Sequence, residues 1–533
     1  MNTQAQRELT LPQKFLQNCR GSMRRAKVAD SNDVELTGGE LLTRTLVLRR
    51  LLRREVLADD EKCVGLLLPP TATAVVANAA LSLDRRVAVN LNYTVSSDVM
   101  NACIEQCGIR HVLTSRRVMK KLDLTINARL VYLEDFKDKV TWTDKLLCAA
   151  RARLEPLQMM QRRLKLDTLD PDDVLTVIFT SGSTGLPKGV MLTHRNVGSN
   201  VDAFNNVVHL NENDVLLGIL PMFHSFGYTV TLWTVLTLAP KGIYHYSPLE
   251  ARPIGKLCRK HGATMMISTP TFLRSYLRRC EPEDFAKLNC VIAGAEKLST
   301  EVADAFEKKF GVRPMEGYGT TELSPVAASN IPPNRAQKSH RDGVRKGTVG
   351  RPLPGISAKV IDLETGEELG ANVPGMLLVT GPNVMKGYLD RPELTAEVIR
   401  DGWYITGDVA EIDDDGFIRI TGRQSRFSKI GGEMVPHIRV EEAIGQLLSL
   451  GEDDFSLVVT AVPHEKKGER LVVLHTGLGR PADEICRQLA DAGLPPIWIP
   501  SPDSFRQIDE IPVLGTGKLD LRQVKQRAVE EFS

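Results

Sequence analysis

The stretch "CVGLLLPPTATAVVANAALSLDRRVAVNLN", residues 63 to 92, decides the fold class. It opens on a short apolar run, continues through a stretch of mostly small residues, five of them alanine, and ends on a second apolar run, "VAVNL". Two apolar runs joined by a helix predict a parallel βαβ unit, whose strands are covered on both faces by crossover helices. The same alternation returns in "ATMMISTPTFLRSYL" at 263 to 277 and in "NCVIAGAEKLSTEVADAFEKKFG" at 289 to 311. The expected fold is therefore α/β, with a large body of doubly wound α/β subdomains.

Outward from that body the texture changes. Past about residue 340 short β-type runs with turns take over, as in "AKVIDLETGEEL", "GMLLVTGP" and "VAEIDDDGFIRITGR", which predicts a β-rich unit. After Arg423 the runs "VEEAIGQLL", "FSLVVTAVPH", "RLVVLHTG" and "ADEICRQLADAG" predict a small, mobile α+β domain. The expected division is a large domain over residues 1–423 and a small one over 424–533.

A chain of 533 residues with 42% hydrophobic and 25% charged residues has enough apolar material for several cores without staples. Its net charge of +2 argues against nucleic-acid binding by bulk charge. The charge is uneven: residues 110–165 hold 14 basic against 6 acidic side chains, and residues 426–533 hold 13 against 17. The nine cysteines have no zinc-site spacing and are expected reduced and mostly buried. The N-terminal "MNTQAQRELTLPQKF" lacks an apolar signal core, and no run reaches the roughly 18 apolar residues of a membrane span. A cytoplasmic location is the default expectation.

"TSGSTGLPKGV", residues 180 to 190, is the first candidate site. It is not a Walker A loop, because Pro187 precedes Lys188 and Gly189 follows it. Its physics still suits phosphate: glycines admit close backbone N–H donors, and Thr180, Ser181, Ser183 and Thr184 add hydroxyls beside one ammonium. The bland alternative is a solvated strand-to-helix loop. Four more stretches follow in chain order: "LPMFHSFG" (220–227), "AGAEKL" (293–298), "EGYGTTELSP" (316–325) and "GWYITGDVAEIDDDGFIRITGRQSRFSKIGGEMV" (402–435). "IPVLGTGKLD" (511–520) closes the set.

In this order the motifs resemble those of the adenylate-forming acyl-activating superfamily, the AMP-binding enzymes of acyl-CoA synthetase type, from about residue 35 to the end. "NYT", "YLEDFKDKVTWTDK", "IAGAEKL" and "GRQSRFSKIGGEMV" look closer still to the acyl-acyl-carrier-protein synthetase half of 2-acylglycerophosphoethanolamine acyltransferase. The resemblance implies a ligase in which a carboxylate attacks the α-phosphorus of ATP to give an acyl adenylate and pyrophosphate. A phosphopantetheine thiol, of acyl carrier protein or CoA, then forms the thioester and releases AMP. Acyl carrier protein is the favoured acceptor on the closer likeness.

By the same resemblance, Thr180, Ser181, Gly182, Ser183, Thr184, Gly185 and Lys188 would wrap the β- and γ-phosphates. Gly294, Ala295 and Glu296 would wall the adenine pocket, and Tyr318 would stack on the base. Gly319, Thr320 and Thr321 lead to Glu322, the implied Mg2+ ligand, with Thr321 facing the α-phosphate. A core tyrosine is the alternative for Tyr318, and a surface acid at a helix start the alternative for Glu322. Asp408 would accept from both ribose hydroxyls and Arg423 would contact ribose and phosphate near the hinge. Lys518 matches the lysine that bridges the two anions, and with His224, Glu322 and Thr184 makes up the candidate catalytic set. Ser425 departs from the usual hinge Asp or Lys, and Asp520 stands where a basic residue is common. Asp413, Asp414 and Asp415 read as a hairpin turn.

For the acid, an amino-acid adenylation domain places an aspartate after the phenylalanine, whereas here His224 follows Phe223. With Tyr228 and the apolar "TVTLWTVLTL" beyond it, a lipid-like tunnel and a fatty acid are expected. His224 reads as a gate or carboxylate-side group, or else as a satisfied core histidine. Aryl or polyketide acids, and a catalytically decayed AMP-binding regulator, remain alternatives. In "LLCAARARLEPLQMMQRRLKL" apolar residues at 147, 150, 154, 157, 160 and 164 alternate with five basic ones and are interrupted at Pro156. The pattern fits peripheral membrane contact or, preferred here, a core-facing helix with a solvated basic face.

Overall fold

The computed structural model describes residues 8–180, 187–335, 343–430, 433–450, 456–464, 468–513 and 519–532, apart from the side chains of Ser425, Lys429 and Met434. The chain divides into two compact units. The first comprises Met1–Ala358, Leu378–Ile405 and Asp413–Arg419, the second Lys359–Leu377, Thr406–Ile412 and Ile420–Ser533.

In the first unit the quoted stretch folds as expected. Cys63–Leu66 and Val87–Asn90 are adjacent parallel strands, and the helix Ala72–Leu83 connects them. Thr71 caps that helix by accepting from the Ala74 amide, and nearly every residue of the helix is buried, which its small side chains permit. His111–Thr114 and Arg129–Tyr132 extend this four-stranded sheet, again in parallel. A larger, nine-stranded sheet has a parallel centre in the order Met315–Gly319, Cys290–Ala293, Met265–Ser268, Val215–Gly218, Lys241–Tyr244 and Ala26–Asp30. Antiparallel strands close both of its edges.

The helices Pro270–Arg279 and Thr300–Phe310 start on the caps Thr269 and Ser299, whose hydroxyls accept from the Phe272 and Val302 amides. Gly311 ends the second in the left-handed conformation, at φ 74°, where glycine carries no Cβ penalty. Tyr276, Phe285, Phe306 and Phe310 fill one core between these helices and the sheet.

The second unit carries the strands Phe427–Ile430, Glu433–Pro436, Leu457–His464, Gly468–His475 and Phe505–Gln507 in one sheet. Along its central hairpin, Val459, Ala461, Leu471 and Val473 enter one apolar cluster, and Val458, Val462, Val472 and Leu474 enter another. Period-two alternation with both faces apolar is what a sheet covered by helices on each side requires. The helices His437–Leu448 and Ala482–Asp491 cover the first face, and Leu521–Phe532 the second.

Two local expectations need correction. The glycine-rich loop joins two antiparallel strands, Val174–Thr180 and Lys188–Thr193, not a strand to a helix; the helix begins only at His194. The segment 147–164 forms two helices, Trp142–Leu154 and Leu157–Arg163, and the first turns its apolar stripe outward. Its buried positions are Asp144, Cys148 and Ala152. Among the described residues no helix is long and apolar enough to cross a membrane.

Candidate active site

Lys188 opens the second strand of the hairpin, opposite Thr180. The short strand Gly387–Tyr388 pairs with its other edge, Tyr388 against Val190 and Gly387 against Met191. Because side chains alternate along a strand, Lys188 and Val190 share a face, and Lys188 becomes the diagonal neighbour of Tyr388. The Lys188 Nζ accordingly lies 4.9 Å from the Tyr388 ring centroid, within cation–π reach. Ser181, Gly182, Ser183, Thr184 and Gly185 lie outside the described residues.

Glu322 sits on a single 3-10 turn, Thr321–Leu323, directly after the strand Met315–Gly319. The turn folds back tightly, with the Thr320 amide donating to the Pro325 carbonyl at 3.1 Å. A Cβ on Gly319 would stand 1.9 Å from that same oxygen, so only glycine fits. Residues 383–388 brace the turn from outside. Asn383 Nδ2 donates to the Leu323 carbonyl at 2.8 Å, the Met385 amide to the Glu322 carbonyl at 2.8 Å, and the Tyr388 hydroxyl to Glu322 Oε1 at 2.9 Å. Burial and the Glu322 charge push the Tyr388 pKa well above its ordinary value, so the phenol keeps its proton and stays a donor.

Thr321 Oγ1 accepts from Ser225 Oγ at 3.3 Å, which ties "GTTEL" to "LPMFHSFG". In that second motif a Cβ on Gly227 would stand 2.3 Å from the Pro221 carbonyl oxygen, so the following helical segment can close onto the loop only at glycine. Gly227–Trp233 is wound as a π-helix and is buried throughout. His224 is exposed, which excludes the core-histidine alternative; its ring lies 4.5 Å from that of Phe223, and Phe223 meets Tyr93 edge-on at 4.8 Å.

"AGAEKL" leaves the C-terminal end of Cys290–Ala293, beside the end of Met315–Gly319, at the sheet edge where open α/β folds bind ligands. Gly294 is buried, and a Cβ there would press on the Phe226 ring at 3.2 Å. Ala295 adopts a left-handed φ of 69°, which is strained for a residue with a Cβ. Glu296 is exposed and accepts from Thr271 Oγ1 at 2.7 Å. Tyr318 is half-buried, on the strand next to Gly319.

In the second unit, Asp408 is buried and pairs with the exposed Arg423, Nε to Oδ1 at 3.1 Å. Gly407, just before it within the strand Trp403–Ile412, adopts a left-handed φ of 75° that glycine takes without a Cβ penalty. Asp413 closes a turn, its Oδ1 accepting from the amides of Asp415 and Phe417, as its sequence context predicts. Lys518 lies outside the described residues.

Lys188, Glu322, Thr320, Thr321 and Ser225 thus gather around one turn. The donor chemistry fits a nucleotide and a hard cation: the Glu322 carboxylate oxygens suit magnesium, and the buried Thr320 hydroxyl has no hydrogen-bond partner among the described residues. Tyr388 and Asn383 were missed by the sequence reading. The signal available was "NVMKGYLD", where Gly387 adopts φ 141° and a Cβ would meet Thr395 at 2.9 Å.

Residues 15–389 match the family model described as AMP-binding enzyme, and the chain belongs to that family. It is 33% identical over 381 residues to the long-chain-fatty-acid–CoA ligase of Bacillus subtilis (strain 168), covering 69% of this chain and 64% of that protein. To the enzyme of the same name from Salmonella typhimurium (strain LT2) it is 27% identical over 436 residues, covering 80% of this chain and 74% of that one. The chain thus spans a little under two thirds of the Bacillus relative. The ATP-bound crystal structure of MatB from Rhodopseudomonas palustris superimposes with a TM-score of 0.76 at 24% identity, over 98% of this chain and 100% of that one, which is a likeness of fold.

Proposed function

We propose that the chain is an AMP-forming ligase that activates a fatty acid and passes the acyl group to the thiol of CoA. The observation that carries the activation step is the Lys188–Tyr388–Glu322 arrangement, which sets an ammonium and a carboxylate on one rigid strand and turn. Both reactants of the first step are anions, so the site must supply positive charge where negative charge develops on phosphorus. In this reading Lys188 and the hydroxyls of the adjoining loop hold the terminal phosphates. Glu322 and the Thr320 hydroxyl would hold Mg2+, which supplies Lewis-acid neutralisation of the phosphate oxygens. The Asp408 carboxylate accepts from the ribose hydroxyls with Arg423 beside it, and Tyr318 stacks on adenine. Lys518, on the small C-terminal domain that we place at residues 424–533, bridges carboxylate and α-phosphate.

The acid follows from His224. An amino-acid substrate needs an anion for its ammonium, and the residue after Phe223 offers none, while the buried Phe223 ring lies beside it and the Tyr93 ring packs on Phe223. The names of the two relatives support a long-chain fatty acid and CoA. That support moves the acceptor from acyl carrier protein to CoA in our reading, since the carrier-protein preference rests on motif likeness alone. Thioester formation from palmitate, ATP and Mg2+ tests it: turnover with CoA above turnover with acyl carrier protein is expected, and the reverse order reassigns the acceptor.

A further inference from the structure

The helix Trp142–Leu154 presents to solvent what a soluble helix ordinarily hides. Trp142 is 72% exposed, Leu146 59% and Leu154 80%, and Met159 on the next helix, Leu157–Arg163, is 60% exposed. Loose docking does not explain this, because the inner face is firmly held. Buried Asp144 accepts from Arg50 Nε at 2.6 Å and from Arg54 at 3.0 Å, while Thr141 forms a capping box with Asp144. At the other end Arg20 donates to the carbonyls of Arg153 at 2.7 Å and Arg151 at 3.2 Å. A rigid helix with tryptophan and leucine facing outward marks an interaction surface.

Beside it lies a cavity of about 490 Å³ walled by Arg49, Arg50, Arg53, Arg54, Arg151 and Arg163. No carboxylate lines it. Behind the wall, buried Asp84 and Asp144 pair with Arg49, Arg53, Arg50 and Arg54, and Glu155 with Arg163; exposed Asp59 and half-buried Glu55 also pair with Arg53 and Arg54. The guanidinium of Arg151 has no partner among the described residues. Planar, forked donors around an open volume suit phosphate oxygens.

We propose that this face docks on an anionic phospholipid bilayer, headgroup phosphates entering the arginine cavity while Trp142, Leu146, Leu154 and Met159 enter the interfacial layer. Charge alone would fit an acidic protein as well. The apolar residues decide, since tryptophan and leucine beside arginine are matched by a layer that is apolar inside and anionic at its rim. The use of such docking, access to acids that partition into membranes, rests on the proposed fatty-acid reading; the docking itself does not.

The test is co-sedimentation of the full chain with vesicles of equimolar phosphatidylglycerol and phosphatidylcholine, against vesicles of phosphatidylcholine alone. Binding to the anionic vesicles that weakens with salt is expected. The triple variant Trp142→Ser, Leu146→Ser, Leu154→Ser should bind at least about ten-fold more weakly, and Arg53→Gln with Arg151→Gln should lose the preference for the anionic lipid. Both should keep wild-type melting temperatures and wild-type activity on a water-soluble short-chain acid. Vesicle binding unchanged in the triple variant overturns the proposal. So does absence of vesicle binding in a chain that instead binds acyl carrier protein through these arginines, or binding of inorganic phosphate that the serine variants leave intact while vesicles are ignored. A chain that docks but activates no fatty acid would refute the fatty-acid reading and leave the docking standing.

Discussion

Tyr388 touches both charged residues of the candidate phosphate site: its hydroxyl donates to Glu322 Oε1 at 2.9 Å, and its ring centroid lies 4.9 Å from Lys188 Nζ. One side chain therefore fixes the spacing between a cation on a strand and an anion on a turn that lie more than 130 residues apart in sequence. Left to a direct ion pair, the two would neutralise each other; held apart by a phenol, each keeps its charge available to a ligand.

Removing only the hydroxyl isolates one half of that role. Tyr388→Phe should leave Lys188 in place and free Glu322 to swing, lowering adenylation about ten-fold, on the order of 1.4 kcal/mol. The loss should fall mainly on the Mg2+ dependence. Tyr388→Ala removes the ring as well and should cost more. Initial rates across a magnesium titration check this, and a phenylalanine variant with an unchanged titration would detach Tyr388 from Glu322 function.

Gly319 should tolerate no side chain. A Cβ at 1.9 Å from the Pro325 carbonyl oxygen has no flexible neighbour to push aside, so Gly319→Ala should destabilise by about 3 kcal/mol and abolish nucleotide binding. Gly21, with nothing within 4 Å, serves as the control, and Gly21→Ala should melt at or slightly above the wild-type temperature. Thermal melting with and without ATP distinguishes the two.

Much of this was legible in the sequence, for a reason particular residues make plain. In residues 63–92 the βαβ unit is local, its helix filled with alanine and its strands apolar, so composition and period suffice. Lys188 stands out by the glycine- and hydroxyl-rich loop before it, and Glu322 by the resemblance of "EGYGTTELSP" to the acyl-activating enzymes. Tyr388 is harder to find, since its role arises from pairing with Val190, a long-range register to which the glycine of "MKGYLD" is the one local pointer. The helix Trp142–Leu154 was read in the wrong phase because its inner face is held by Asp144 against Arg50 and Arg54, whereas periodicity detects only apolar burial.

Acid should unfold the chain through two buried histidines. Burial pushes the pKa of His194, in the first unit, and of His437, in the second, from 6.5 down to about 3. Both folded values are depressed, so the unfolded chain binds the extra protons. Each histidine then costs nothing above pH 6.5 and destabilises by about 1.4 kcal/mol per pH unit as pH falls from 6.5 toward 3. His437→Gln should flatten the fall in denaturation midpoint over that window, and an unchanged slope would contradict the assignment.

Lys518 is proposed to act only where two anions meet. Lys518→Ala should abolish acyl-adenylate formation, a loss on the order of 3 kcal/mol or more, while thioester formation from supplied acyl adenylate survives. Separate assays of the two half-reactions check this; equal loss in both would make the lysine structural.

The most direct measurement of the central claim is acid-dependent exchange of labelled pyrophosphate into ATP, catalysed by the full chain with Mg2+ across straight-chain, aryl and amino acids. The account predicts exchange with fatty acids that strengthens with chain length, each further buried methylene contributing about 0.8 kcal/mol until the pocket ends, and none with amino acids. Exchange confined to aryl or amino acids, or absent with every acid, would contradict it.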